Sequence, residues 1–375
     1  MFLRVVVATL LLSAAAMAAN SKPVCPGPAA AGTARCHSHV VTDKNGSPNA
    51  AGSPSGYGPV QFRTGYSLTA TGSSTTTIGI VDAYDDPNIE SDLGVYSNQY
   101  SLPACTTANG CFKKVNQTGG TSYPRTNAGW ALEISLDVEI AHAICPSCKI
   151  LLVEATTNSF ANLLTAEDYA VGHATIVSNS WGGGESSGET SNDSHFNHIG
   201  HPITFSSGDG GFGVEYPAAS QFVTAVGGTT LNLNSNNSYK SETVWSGAGS
   251  GCSAFEPKPT WQKDTGCVRR TVADVAADAD PNTGAAVYDT VRYQGRSGWF
   301  QVGGTSLASP LIAATYALAG NAANTVDGSY PYSHTSSLHD VTSGSNGSCG
   351  SYLCTGVVGY DGPTGNGTPN GTGGF

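Results

Sequence analysis

The sequence predicts an α/β fold: one large domain built on a mostly parallel sheet with helices on both faces. Three observations predict it. Short apolar runs without polar alternation recur at 75–81, 149–153, 176–178, 203–206 and 222–226, as strands buried on both faces require. Helix-length segments at 87–100, 130–143 and 160–171 separate them. The chain has 375 residues, enough to bury a deep core.

The first 19 residues read as a secretory leader: Arg4, an apolar run over 5–12, then small residues ending in Ala18-Ala19. This predicts a secreted, extracellular protein. No later stretch reaches the roughly 20 apolar residues of a membrane helix, so no membrane anchor is expected. Residues 20–56 are rich in Ala, Gly, Ser and Pro and read as an irregular N-terminal extension. The core domain is expected over 57–375, with mostly loops at 234–293 and a Gly-, Ser- and Asn-rich tail after His339.

Charged residues make up 11% and the formal net charge is −11, with no Lys/Arg cluster. That argues against nucleic acid as a partner, because phosphates need basic patches. The ten cysteines are even in number and follow a leader, which predicts disulfides. Their spacing suggests local pairs, Cys25–Cys36, Cys105–Cys111, Cys145–Cys148, Cys252–Cys267 and Cys349–Cys354, although spacing alone does not prove connectivity. Cys145 and Cys148 could instead form a redox dithiol. They follow a helix rather than start one, which favours a structural disulfide.

The stretch Gly303-Gly304-Thr305-Ser306 joins an expected strand over 299–302 to an alanine-rich helix over 311–319. Ser306 therefore stands at a helix N-terminus, where free N–H groups favour developing negative charge. Most Gly-Thr-Ser strings are plain turns, so a base has to be found elsewhere. The helix over 130–143 offers Glu133 and Asp137, four residues apart on one face of a segment apolar nearly all round. Two such carboxyls cannot both ionise easily, and one acquires a raised pKa. The fourth strand ends in Ser207-Gly208-Asp209, which becomes an oxyanion partner only if it faces Ser306. The third strand ends in Ser180-Trp181-Gly182, an edge for an extended peptide or an ordinary strand end. No histidine has a convincing role. His195, His198 and His201 have metal-like spacing but no fourth ligand.

These pieces, in this order, resemble the sedolisins, the serine-carboxyl peptidases with a subtilisin-like fold. The matching motifs are Glu133-x-x-x-Asp137, Ser178-Asn179-Ser180-Trp181-Gly182, Ser207-Gly208-Asp209 and Gly304-Thr305-Ser306 followed by Pro310. The late segments around His339-Asp340-Val341 and Gly359-Tyr360-Asp361-Gly362 resemble the family's calcium-binding end. The resemblance implies Ser306 as nucleophile, Glu133 as base, Asp137 as the group orienting it, and Asp209 in the oxyanion hole. It also implies one Ca2+ held by Asp340 and Asp361 with the carbonyls of Val341, Val357 and Gly359. The family's long pro-domain is expected to be absent, since only residues 20–56 precede the core.

The resulting expectation is a secreted, monomeric endopeptidase acting on protein or peptide substrates at acidic pH. A carboxylate base still accepts a proton where histidine is already charged. Two alternatives stand beside it. One is a neutral subtilisin-like protease using Asp82, His142 and Ser306. The other is a non-catalytic secreted binding protein on the same fold.

Overall fold

A computed structural model describes residues 20–375, and the expected leader lies outside the described residues. The segment 20–56, expected to be irregular, instead forms β1 (Asn20–Pro23), β2 (Arg35–Cys36), β3 (His39–Thr42) and β4 (Ala50–Ala51). Next come α1 (Pro59–Gly65), β5 (Thr77–Ala83), α2 (Ile89–Tyr100), β6 (Phe112–Asn116) and α3 (Ala128–Ile144). They lead into β7 (Lys149–Ala155), α4 (Phe160–Val171), β8 (Ile176–Asn179), β9 (Trp181–Gly184), β10 (Ile203–Ser206) and β11 (Glu215–Tyr216). After β12 (Thr224–Leu233), the region expected to be loops holds β13 (Tyr239–Val244), β14 (Gly251–Cys252), β15 (Thr271–Val272), β16 (Val275–Asp278) and β17 (Ala285–Tyr293), and β18 (Arg296–Gly303) follows it. Then follow α5 (Thr305–Ala319), the short α6 (Tyr330–Ser333), β19 (Leu338–His339) and β20 (Thr368–Pro369).

The central sheet runs β6-β7-β5-β8-β10-β12, all parallel, with β16 parallel and β13 antiparallel along β12. The apolar runs read from the sequence supply these strands, because both faces are covered. A second sheet, β1-β3-β18-β17, is antiparallel, and β4 also pairs with β18. It explains the misread extension. Val40 and Val41 in β3 are buried, but their strand partner β18 lies near the far end of the chain. Long-range pairing of this kind leaves no local periodicity to read.

α3 is the central helix. The Asn127 side chain caps it, accepting from the N–H groups of Gly129 and Trp130. Every residue from Trp130 to Ile144 is buried, against α5, β5 and β17 among others. This burial includes Glu133, Asp137 and Glu139, all fully inaccessible. Five disulfides link Cys25–Cys36, Cys105–Cys111, Cys145–Cys148, Cys252–Cys267 and Cys349–Cys354. Among the described residues no helix is long and apolar enough to cross a membrane.

Burial pushes the carboxyls of Glu133, Glu167 and Asp289 up to about 8. The folded chain thus keeps protons that the unfolded chain, with carboxyl pKa values near about 4, releases. Their contribution is fully present below about pH 4 and is lost as pH rises toward about 8, at about 1.4 kcal/mol per group and pH unit. Thermal melts of Ser306→Ala protein should therefore show a lower Tm at pH 8 than at pH 4.5. A Tm that rises over this interval would contradict the account.

Candidate active site

α5 begins at Thr305, earlier than the 311–319 expected, and this places Ser306 in its first turn. Gly304 precedes it at φ 98°, a left-handed conformation. A Cβ there would collide with the His37 carbonyl oxygen and with Asp209 Oδ2. Pro310, inside the helix, has no N–H for the Ser306 carbonyl four residues back. The Ser180 hydroxyl faces that carbonyl instead, at 3.3 Å. Ser306 Oγ donates to the Ser180 carbonyl at 3.3 Å.

The structure brings Glu133 and Asp137 to this serine. The Glu133 carboxyl lies beside the hydroxyls of Ser306 and Ser38, which offset part of its burial-driven pKa rise. Neither makes a hydrogen bond of ordinary geometry to it. Asp137 Oδ1 accepts from Ser180 Oγ at 2.9 Å. Its pKa is well raised, by burial first, then by Asp82 and Glu133. Asp82, at the end of β5, is raised by burial, then by Glu133 and Glu154, and both its oxygens lack partners among the described residues. Three buried carboxyls therefore neighbour one another, with Glu133 beside Ser306, and protons are needed to keep them from repelling one another.

Asp209 follows β10 and reaches the same place. Its Oδ1 accepts from the Thr305 N–H (2.8 Å) and hydroxyl (2.7 Å). Its Oδ2 has no hydrogen bond among the described residues, and His39 Nε2 stands 3.7 Å away. Burial raises its pKa, with His39, His37 and Thr305 pulling the other way.

Ser180 lies between β8 and β9, while Trp181 and Gly182 lie in β9. The Trp181 indole is buried and donates to the Val81 carbonyl at 2.9 Å. One edge of β9 carries β11, and the other carries β2, with Arg35 opposite Gly182 and Cys36 opposite Trp181. Here the sequence reading missed residues. Histidines were expected to have no role, yet His37 and His39 line the site. His37 Nδ1 is 2.7 Å from Ser206 Oγ and its Nε2 2.9 Å from Glu215. Burial would raise Glu215, but His37 and Arg35 hold it down at about 2. The polar–apolar run Cys36-His37-Ser38-His39-Val40-Val41 was the available signal, a short strand inside the supposed extension.

Other expectations separate. His142 Nε2 bonds the Pro103 carbonyl at 2.9 Å, beside the Cys105–Cys111 disulfide, so no Asp82–His142–Ser306 triad forms. That position follows from helical geometry: His142 is more than two turns beyond Glu133 on α3. His195 pairs with Asp168 at 2.7 Å, and the ligand atoms of His195, His198 and His201 do not converge.

At the C-terminal end, Asp361 Oδ1 accepts from the Thr364 N–H and hydroxyl (2.9 Å each) and Oδ2 from the Val357 N–H (3.1 Å). Asp340 Oδ2 accepts from the Gly359 N–H at 2.9 Å, and the two acids repel each other. The Val341 carbonyl faces Gly356 in the same loop. No Lys or Arg pairs with either acid among the described residues. Two acids without a cationic partner and the Val341 carbonyl in the same loop are hard oxygen donors of the kind calcium takes.

The Subtilase family model matches residues 126–336, more than half of the chain. The chain is 31% identical to sedolisin of Pseudomonas sp. (strain 101) over 362 aligned positions, covering 84% of this chain. It is 30% identical to kumamolisin of Bacillus sp. (strain MN-32), covering 70%. It spans 60% and 52% of the lengths of these two relatives. Among solved structures, Pseudomonas sedolisin, a serine-carboxyl proteinase complexed with two molecules of pseudo-iodotyrostatin, superposes with TM-score 0.72 at 29% identity. That match covers 85% of this chain and 96% of that one. Sphericase, at 17% identity and TM-score 0.54, shares the fold, covering 85% of this chain and 99% of its own. With this fold and an acid-lined serine at the head of a helix, the chain belongs to the subtilase family and, within it, to the sedolisins.

Proposed function

We propose that this chain is a secreted serine-carboxyl endopeptidase working in acid on protein or peptide substrates. The observation that carries the reading is the convergence of Glu133, Asp137 and Asp209 on Ser306. Glu133 takes the Ser306 proton as Oγ attacks the peptide carbonyl. Asp137, one turn further along α3 and fixed by Ser180, is the group that orients Glu133 in this reading. The Ser306 N–H and the protonated Asp209 receive the oxyanion. An acyl-enzyme forms and water releases it. Ser180, Trp181 and Gly182 offer the substrate backbone the strand edge that β2 holds in this structure, once β2 leaves it. Five disulfides suit an oxidising, extracellular setting.

The pH dependence has two sources. Glu133 is raised to about 8 while it is buried, so it serves as base in acid only after the cleft opens to water and its desolvation falls. Asp209 needs its proton to donate, so activity fades as pH rises through its elevated pKa. Calcium would be held by Asp340, Asp361 and the carbonyls of Val341, Val357 and Gly359. Its chemistry there is charge neutralisation of the C-terminal loops.

Hydrolysis of an unfolded protein between pH 3 and 8 should peak in acid and fall by about 10³-fold or more in both Ser306→Ala and Glu133→Ala. Full activity at pH 8 with little at pH 4 would refute the mechanism. Asp209→Asn should keep activity and carry it to higher pH, because an amide donates at any pH. Asp209→Ala should lose about 10²–10³-fold in kcat. A D209N profile that falls at the wild-type pH would remove Asp209 from the oxyanion hole. Calcium removal by chelator should lower Tm, and Asp361→Asn should abolish that response. An unchanged Tm in the wild type would exclude the ion.

A further inference from the structure

The chain's own N-terminal segment crosses the site in the pose of a bound peptide. β2 lies antiparallel on β9, and the His37 N–H extends that ladder to the Ser180 carbonyl at 3.1 Å. The His37 carbonyl oxygen accepts the Ser306 N–H at 3.1 Å and crowds Gly304 beside Asp209 Oδ2. Two residues after His37, β3 pairs antiparallel with β18, His39 opposite Gly303. The His37–Ser38 peptide thus sits between two ladders, its carbonyl on the donor proposed for the oxyanion, with the Ser38 hydroxyl beside Glu133.

The His37 ring fills a closed pocket. Ser206 Oγ stands 2.7 Å from Nδ1 and Glu215 2.9 Å from Nε2. A Cβ on Gly182 would come within 2.8 Å of the ring carbon Cε1. Arg35 also reaches Glu215, at 2.9 Å. Arg35 takes Oε1 and His37 faces Oε2, so an apolar side chain in place of His37 would leave Oε2 without a partner and an acidic one would be repelled.

We propose that His37–Ser38 is a bond this enzyme cuts in its own chain, and that Glu215 with Ser206 selects a cationic side chain before the cut. The inference rests on the peptidase reading above and names its first substrate. Once the cleft admits water and Glu133 gives up its proton, Ser306 Oγ bonds to the His37 carbonyl carbon while the Ser306 proton passes to Glu133. The His37–Ser38 C–N bond then breaks and Glu133 hands the proton to the Ser38 nitrogen. Water, deprotonated by Glu133, cleaves the His37 ester and restores Ser306. One water is consumed, leaving a His37 carboxylate and a Ser38 amine.

The test follows wild type, Ser306→Ala, Glu215→Gln and His37→Leu chains at pH 4.5 by intact mass and N-terminal sequencing, with folding checked by thermal melts. Wild type should gain Ser38 as its N-terminus, and S306A should stay joined. E215Q and H37L should be cut at least about tenfold more slowly. On short peptides wild type should prefer Lys, Arg or His before the cut over Leu by about tenfold, and E215Q should lose that preference. Wild type that digests an unfolded protein while His37–Ser38 stays intact overturns this proposal and leaves the peptidase reading standing. Wild type that does neither overturns both. A cut at 37–38 that E215Q leaves at the wild-type rate overturns the role given to Glu215.

Discussion

Carboxyl groups buried without cations are the constraint on which this site depends. Asp82, Glu133 and Asp137 sit at the meeting of β5 and α3, fully inaccessible, with no Lys or Arg beside them among the described residues. As three anions they could not share that space. Protons must therefore take the place of counter-ions, and the same protons are the currency of the chemistry proposed for Ser306. The neighbouring Glu154 shows the contrast, because Lys114 stands 3.5 Å from it and opposes its rise.

Positioning comes from elements far apart in sequence. α3 supplies two acids one turn apart, the end of β10 supplies Asp209, and the head of α5 supplies the serine. Ser180 joins them: its hydroxyl lies within hydrogen-bond reach of both Asp137 and the carbonyl that Pro310 leaves free, and its own carbonyl takes the Ser306 hydroxyl. A residue read only as substrate edge thus also fixes the relation between α3 and α5.

Much of this was legible in the sequence because the information is local. The parallel strands are apolar runs, α3 is an apolar helix with two misplaced acids, and Ser306 follows a pair of glycines. What escaped reading was information carried by distant pairing. β3 is recognisable only beside β18, and His37 acquires meaning only between Ser206 and Glu215. β17 was hidden likewise, since its partners are β18 and the face of α3. The helix start at Thr305 was misjudged because a proline five residues on suggested a later beginning. The Ser180 hydroxyl that makes that proline tolerable comes from the junction of β8 and β9, far away in sequence.

The pairing of β1 with β3 carries a consequence for the fate of the N-terminal segment. Residues Asn20 to Pro23 lie against His39 to Thr42, and the Tyr293 hydroxyl grips the Val24 carbonyl at 3.1 Å. Cys25 and Cys36 both lie before His37, so their bridge closes a loop wholly within the piece upstream of Ser38. Severing the backbone after His37 would thus make two polypeptides without parting them. The upstream piece would remain a plug, held by β1 on β3 and β2 on β9, until those strands peel away.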